Sequence, residues 1–126
     1  MSLRDRMYEL TSIEEVNEFL EEFPTGAIFK AGTCHKTVDG FAVVEKALNS
    51  RPDINLGFIR VVEARPASNH IAEITAIVHQ SPQFILFVDG APVYDVDNWD
   101  ITPQVVEAAL QKNLGAAPSA AMTTGE

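Results

Sequence analysis

Between Gly26 and Val96 short apolar runs alternate with stretches of helical spacing, and this alternation restricts the possible folds more than any other feature of the chain. Ala27-Ile28-Phe29-Lys30-Ala31, bounded by Gly26 and Gly32, reads as a buried strand, and Ile54 to Val62, rich in β-branched residues, as a second. Between them, Val38 to Leu48 sets Phe41, Val44, Ala47 and Leu48 along one side and predicts a helix despite Gly40. Arg65-Pro66-Ala67-Ser68 opens a further helix, since proline is tolerated in a first turn, and the helix runs through Ile71, Ala72, Ile74 and Thr75. Gln83 to Val88, Asp89-Gly90, then Ala91 to Val96 is a strand, a two-residue turn and a strand, the pattern of a hairpin.

Two amphipathic helices flank this segment. Ser12 and Glu15 form a capping box in which the Ser12 hydroxyl accepts from the Glu15 amide and the Glu15 carboxylate reaches back to the Ser12 amide. Ile13, Val16, Phe19, Leu20 and Phe23 then recur at helical spacing until Pro24, leaving the glutamates to solvent. At the other end Thr102-Pro103 caps a helix with an apolar stripe of Val105, Val106, Ala109 and Leu110, ending near Gly115. The element order is thus α, β, α, β, α, β, β, α. Strands joined through helices are expected to pair in parallel by right-handed crossover, with the closing hairpin antiparallel. The expected fold class is α/β, a mixed four-stranded sheet flanked by helices on both faces. At 126 residues one domain is expected, residues 1–115, followed by a mobile Ala-, Ser- and Thr-rich tail, 116–126.

Charge narrows the function. Acidic residues outnumber basic ones 18 to 9, and the net charge of -9 repels nucleic-acid phosphates. No stretch approaches the roughly 18 apolar residues that cross a bilayer, and the first residues lack the apolar core of a leader, so a cytoplasmic protein without a membrane or nucleic-acid partner is expected. One cysteine allows no internal disulfide and no four-thiolate metal site from a single chain. His35, His70 and His79 with Cys34 match no metal-ligand spacing, and Asp95, Asp97 and Asp100 lack the glycine and glutamate of a calcium loop and read as a polar loop.

Cys34 falls between a strand's C-terminal end and a helix N-terminus, where unpaired amides and the positive end of the dipole favour thiolate over thiol. Thiols at such positions fall in roughly the 3.5 to 7.5 pKa range, against about 8.5 for free cysteine. Lys36, and His35 when protonated, add to that stabilisation. Thr37 stands three residues on, where a two-cysteine oxidoreductase carries its resolving thiol; its hydroxyl can donate to the thiolate but cannot attack a mixed disulfide. The expected chemistry is therefore monothiol exchange, with Cys34 taking a small thiol from a protein and awaiting a second one. The bland alternative is an inert buried cysteine. Ser81-Pro82 precedes the hairpin and, on its residues alone, reads as a trans proline starting a strand. Trp99 reads as a core anchor, with a lid over a small pocket as the alternative.

Val61 to Ala72, with its Arg65-Pro66-Ala67-Ser68-Asn69 segment, Gln80-Ser81-Pro82-Gln83, Asn98 to Thr102, and Phe29-Lys30 ahead of Thr33-Cys34 together resemble the monothiol bacilliredoxins, thioredoxin-like bacterial proteins that use bacillithiol. The resemblance spans about residues 8 to 113. It implies a thioredoxin-like fold, Cys34 as the nucleophile that removes bacillithiol from S-thiolated client proteins, and Pro82 as a cis-proline facing it. It implies no bound cofactor, with bacillithiol as co-substrate, and a monomer or weak homodimer. Arg65, Asn98 and Trp99, with Thr33, His35 and Ser81, become candidates for binding the thiol and its client. The family loop usually reads Thr-Cys-Pro-Ile-Ser, whereas this chain has Thr33-Cys34-His35-Lys36-Thr37. Thr37 keeps the hydroxyl, and Lys36 suits an anionic thiol such as bacillithiol with its malate carboxylates. Two rivals stand beside this reading: a noncatalytic adaptor of the same fold, and a dimer bridging an iron–sulfur cluster through one cysteine per chain.

Overall fold

The computed structural model describes residues 2–117. Its elements are a 3-10 turn at Leu3–Arg6, β1 (Met7–Glu9), α1 (Ile13–Glu22), β2 (Gly26–Ala31), α2 (His35–Asn49), β3 (Leu56–Arg60), α3 (Arg65–Thr75), β4 (Gln83–Val88), β5 (Ala91–Asp97), a 3-10 turn at Asn98–Asp100, and α4 (Pro103–Leu114). The five strands lie in the order β1-β3-β2-β4-β5. One more strand is present than the sequence pattern predicts. β1 has three residues, too few to show an alternation, and it adds to the edge of β3 in parallel, Met7 opposite Leu56.

β2 lies at the centre and is buried along its whole length, which is why its residues, Lys30 apart, read as an apolar run. Its alternate side chains serve two cores. Ala27 and Phe29 join Val44, Leu48, Val106 and Leu110 on the α2/α4 face, while Ile28 joins Val16, Phe19 and Ile71 on the α1/α3 face. Helices therefore cover both faces, as expected.

The crossover rule fails at one connection. β2 and β3 are parallel, but β4, which follows α3, runs antiparallel to β2, with Lys30 opposite Gln83. After α3 the chain turns through Ala76 in the left-handed region (φ 60°) and returns along residues 77–82 to the end of the sheet from which it left. That return brings Ser81-Pro82 beside the C-terminal end of β2 and the cysteine loop.

Local expectations hold with shifted ends. The Ser12 hydroxyl accepts from the Glu15 amide at 3.1 Å, but the Glu15 carboxylate accepts from the amide and hydroxyl of Thr11, at 2.7 and 2.8 Å, one residue before the expected partner. Those bonds hold the Glu15 carboxyl below its ordinary range. Thr102 caps α4 through Val105 N–H, as its Thr-Pro pair indicates. The second expected strand is shorter than 54–62, because residues 61–63 turn toward α3. Asp95 and Asp97 belong to β5 rather than to a polar loop. The expected tail lies, from residue 118 on, outside the described residues.

Candidate functional site around Cys34

α2 begins at His35, three residues earlier than apolar spacing alone indicates, because Thr33 to Thr37 carry no hydrophobic marker of the first turn. Cys34 is consequently the N-cap residue of α2 itself, with an exposed side chain that makes no capping hydrogen bond. Cys34 is therefore not buried. The amides of His35 and Lys36, at the start of a 15-residue helix, lie immediately after the sulfur's residue.

The loop that carries Cys34 is braced from within and from outside. The Thr37 hydroxyl accepts from Gly32 N–H at 2.8 Å, and Thr37 N–H donates to the Cys34 carbonyl at 3.0 Å. Thr37 thus fixes the loop rather than making a bond to the sulfur. A β-carbon added at Gly32 would stand 3.0 Å from Ser81 Oγ and 3.2 Å from Thr37 Oγ1, so glycine there permits the close approach of the Ser81 segment. The Ser81-Pro82 peptide is cis, correcting the trans geometry read from those two residues alone and agreeing with the family resemblance. Pro82 is buried, 3.7 Å from the point where a β-carbon on Gly40 would sit, one turn and a half into α2.

Asn98 belongs to this assembly. It adopts a left-handed backbone (φ 52°), donates its N–H to the Pro82 carbonyl at 3.0 Å, and packs its short 3-10 turn against α2. Trp99 next to it is 62 % exposed, so it is not a core anchor. Thr33 and His35 are exposed and Lys36 is half-buried, while Arg65 is exposed at the first position of α3. The structure therefore gathers Thr33, Cys34, Thr37, Ser81, Pro82 and Asn98 around one loop. Arg65, at the first position of α3, makes no hydrogen bond or ion pair to that loop among the described residues, and its charge acts on His79.

A cleft of about 170 Å³ adjoins the loop, lined by Gly32, Thr33, Thr37, Phe58, Arg60 and Val62 among others. Its cation is Arg60, which is held by Glu9 at 2.9 Å and lies over the Phe58 ring. A larger hollow, about 320 Å³ beside Arg51 and Gln111, is at the far end of α2 from Cys34.

Sequence reasoning passed over Lys30. It lies within an apolar run and is fully buried, with no ion pair to a carboxylate among the described residues. Burial pushes its amine down to about 8. Its polar partner is His79 Nδ1 at 3.2 Å, which also meets Ser68 Oγ at 3.3 Å. His79 is held below the ordinary histidine range by desolvation, then by the charges of Lys30 and Arg65. A lysine inside a fully buried strand was the available signal. Its partner, 49 residues away, could not be read from the pattern.

The sheet order, the cysteine at the mouth of α2 and the proline segment facing it define a thioredoxin-fold protein with a single loop cysteine. Solved structures bear out the fold. One protein of thioredoxin fold aligns with a TM-score of 0.76 at 26% identity, covering 88% of this chain and 97% of the other. Thioredoxin O2 from Arabidopsis thaliana aligns at 0.71 and 18% identity over 92% and 100% of the two chains. Mitochondrial thioredoxin 3 from Saccharomyces cerevisiae aligns at 0.69 and 20% over 88% and 99%. The chain belongs to the monothiol bacilliredoxin BrxC family, whose model matches residues 8–106. Among the described residues no helix is long and apolar enough to cross a membrane.

Proposed function

We propose that the protein is a monothiol thiol–disulfide exchange protein that removes a small thiol, bacillithiol, from S-thiolated client proteins in the cytoplasm. The observation that carries the reading is Cys34 itself: an exposed, unpaired sulfur on the N-cap residue of α2 in a chain of the monothiol bacilliredoxin family. In the first step the Cys34 thiolate attacks the small-thiol sulfur of a client mixed disulfide. A bond forms between that sulfur and Cys34, the client sulfur leaves as a thiolate, and it takes a proton from water. A second small thiol, as its thiolate, then attacks the adduct, giving a small-molecule disulfide and restoring Cys34. The client sulfur is reduced, the one incoming small thiol is oxidised, the transferred sulfur stays at the disulfide level throughout, and no bound cofactor enters the reaction.

Thr37, which occupies the place of a resolving thiol, keeps the loop in shape but leaves release to the external thiol. Lys36 and His35, which follow Cys34 in the chain, and Arg65, at the start of α3, are the cations assigned to the carboxylates of the small thiol. Ser81, Pro82, Asn98 and the exposed Trp99 form the side on which a client would lie, and Thr33 borders the cleft opposite.

The test is turnover of a client protein carrying bacillithiol or glutathione in mixed disulfide, with excess free thiol. Release of the client that disappears in Cys34→Ser, and is faster for bacillithiol, supports the reading. Tight client binding that survives Cys34→Ser without release identifies an adaptor instead. A brown, iron-loaded dimer after anaerobic reconstitution with iron and sulfide would point to cluster binding.

A further inference from the structure

The segment 77–81 delivers Ser81 to the Cys34 loop, yet among the described residues it makes no backbone–backbone hydrogen bond to the rest of the molecule. Side chains hold it instead. Gln83 Nε2 donates to the Val78 carbonyl at 3.1 Å, Asn98 Nδ2 donates to Gln80 Oε1 at 3.3 Å, and Lys30 Nζ meets His79 Nδ1 at 3.2 Å. Of these three ties only the last, to which Ser68 Oγ adds a contact with the same nitrogen at 3.3 Å, contains groups that change protonation near neutrality. It is also the one anchored in the centre of the sheet, since Lys30 lies on β2 directly opposite Gln83. An ammonium can only donate, so His79 Nδ1 must be its unprotonated, accepting nitrogen.

We infer that His79, latched to the buried Lys30 amine, is a positioning residue that holds the Ser81-Pro82 segment against the Cys34 loop, and that the latch opens when His79 takes up a proton. Protonation turns Nδ1 into a donor and sets two cations face to face, so this tie becomes repulsive. The charged groups that act on His79 are Lys30 from β2 and Arg65 from α3, while its other neighbour, Ser68, is neutral. Both charges favour the neutral ring, so the latch stays shut through the ordinary histidine range and opens only in more acidic solution. The inference concerns the same site and rests on the exchange reading only for its kinetic consequence. His79, exposed on the outside of the segment, can swing away without disturbing the core.

The test has a kinetic arm and a structural arm. In exchange with a protein mixed disulfide, His79→Leu should raise KM about tenfold, the size of one hydrogen bond to a charged group. Alkylation of Cys34 by iodoacetamide, which needs no docking surface, should stay within about twofold. His79→Asn, whose amide oxygen can still accept from Lys30, should restore KM and abolish the rise in KM that the native protein shows in solution more acidic than the ordinary histidine range. In the structural arm, the backbone amide signals of Gly32 and Ser81 in nitrogen-15 spectra should follow the titration of the His79 ring in the native protein and stay still in His79→Asn. An unchanged KM in His79→Leu, or Gly32 and Ser81 signals indifferent to His79, overturns the inference. Should the native protein accept no thiol from any mixed disulfide, the exchange reading fails, while the amide titration still decides for or against the latch.

Discussion

Lys30 is the residue that the chain keeps at a thermodynamic cost. Fully buried, it holds a charge whose desolvation no ion pair among the described residues repays. The sign of the pH dependence follows from its amine lying at about 8 in the fold against 10.5 in the unfolded chain. Below pH 8 both states are protonated and the fold bears the cost of the buried charge. Between 8 and 10.5 the unfolded chain holds more protons, so stability rises with pH, by about 3 kcal/mol in all, and then levels off. Lys30→Met should therefore stabilise the protein at pH 7 by roughly 1–3 kcal/mol and remove that rise, as denaturant melts across pH 7 to 11 would read. The same substitution should weaken exchange, which is the signature of a residue kept for function. A variant less stable than the native protein at pH 7 would contradict this account of the site.

Among the elements, the cysteine loop depends on two small features. Thr37→Val deletes the acceptor for Gly32 N–H and should cost about 1 kcal/mol while slowing exchange at Cys34. Gly32→Ala drives a β-carbon toward Ser81 Oγ and Thr37 Oγ1 and should destabilise by about 1 kcal/mol, with a loss of exchange larger than for Thr37→Val because it pushes apart the two sides of the site. Thr102→Ala, at the cap of α4, should cost a similar ~1 kcal/mol with exchange intact. Thermal melts paired with exchange rates separate the three. The elements were legible wherever a cap or a period marks them: Ser12 and Thr102 start helices, and Asp89-Gly90 turns the hairpin. The first turn of α2 was not, since His35, Lys36 and Thr37 carry no apolar periodicity and the turn is held by backbone amides and by Gly32.

At the scale of the whole molecule, the sheet's class and helical cover could be read from the chain, but its fifth strand and the direction of β4 could not. β1 is too short to show a period, and the antiparallel return of β4 is set by the left-handed Ala76 and the unpatterned segment 77–82. That return is what brings Ser81, Pro82 and Asn98 to the cysteine, residues 47 to 64 positions away from it in the chain. The site's nucleophile was therefore legible as a lone cysteine before a helix, and its opposite wall only through a resemblance. Lys30 and His79, which tie that wall to the centre of the sheet, gave no local signal. The most direct measurement is a single turnover: reduced protein mixed with an equimolar client carrying one isotopically labelled small thiol, quenched with acid and mapped by mass spectrometry. Label moving one-for-one from the client onto Cys34 is the predicted result, and label that leaves the client without ever residing on Cys34, or does not leave it at all, would contradict the proposal.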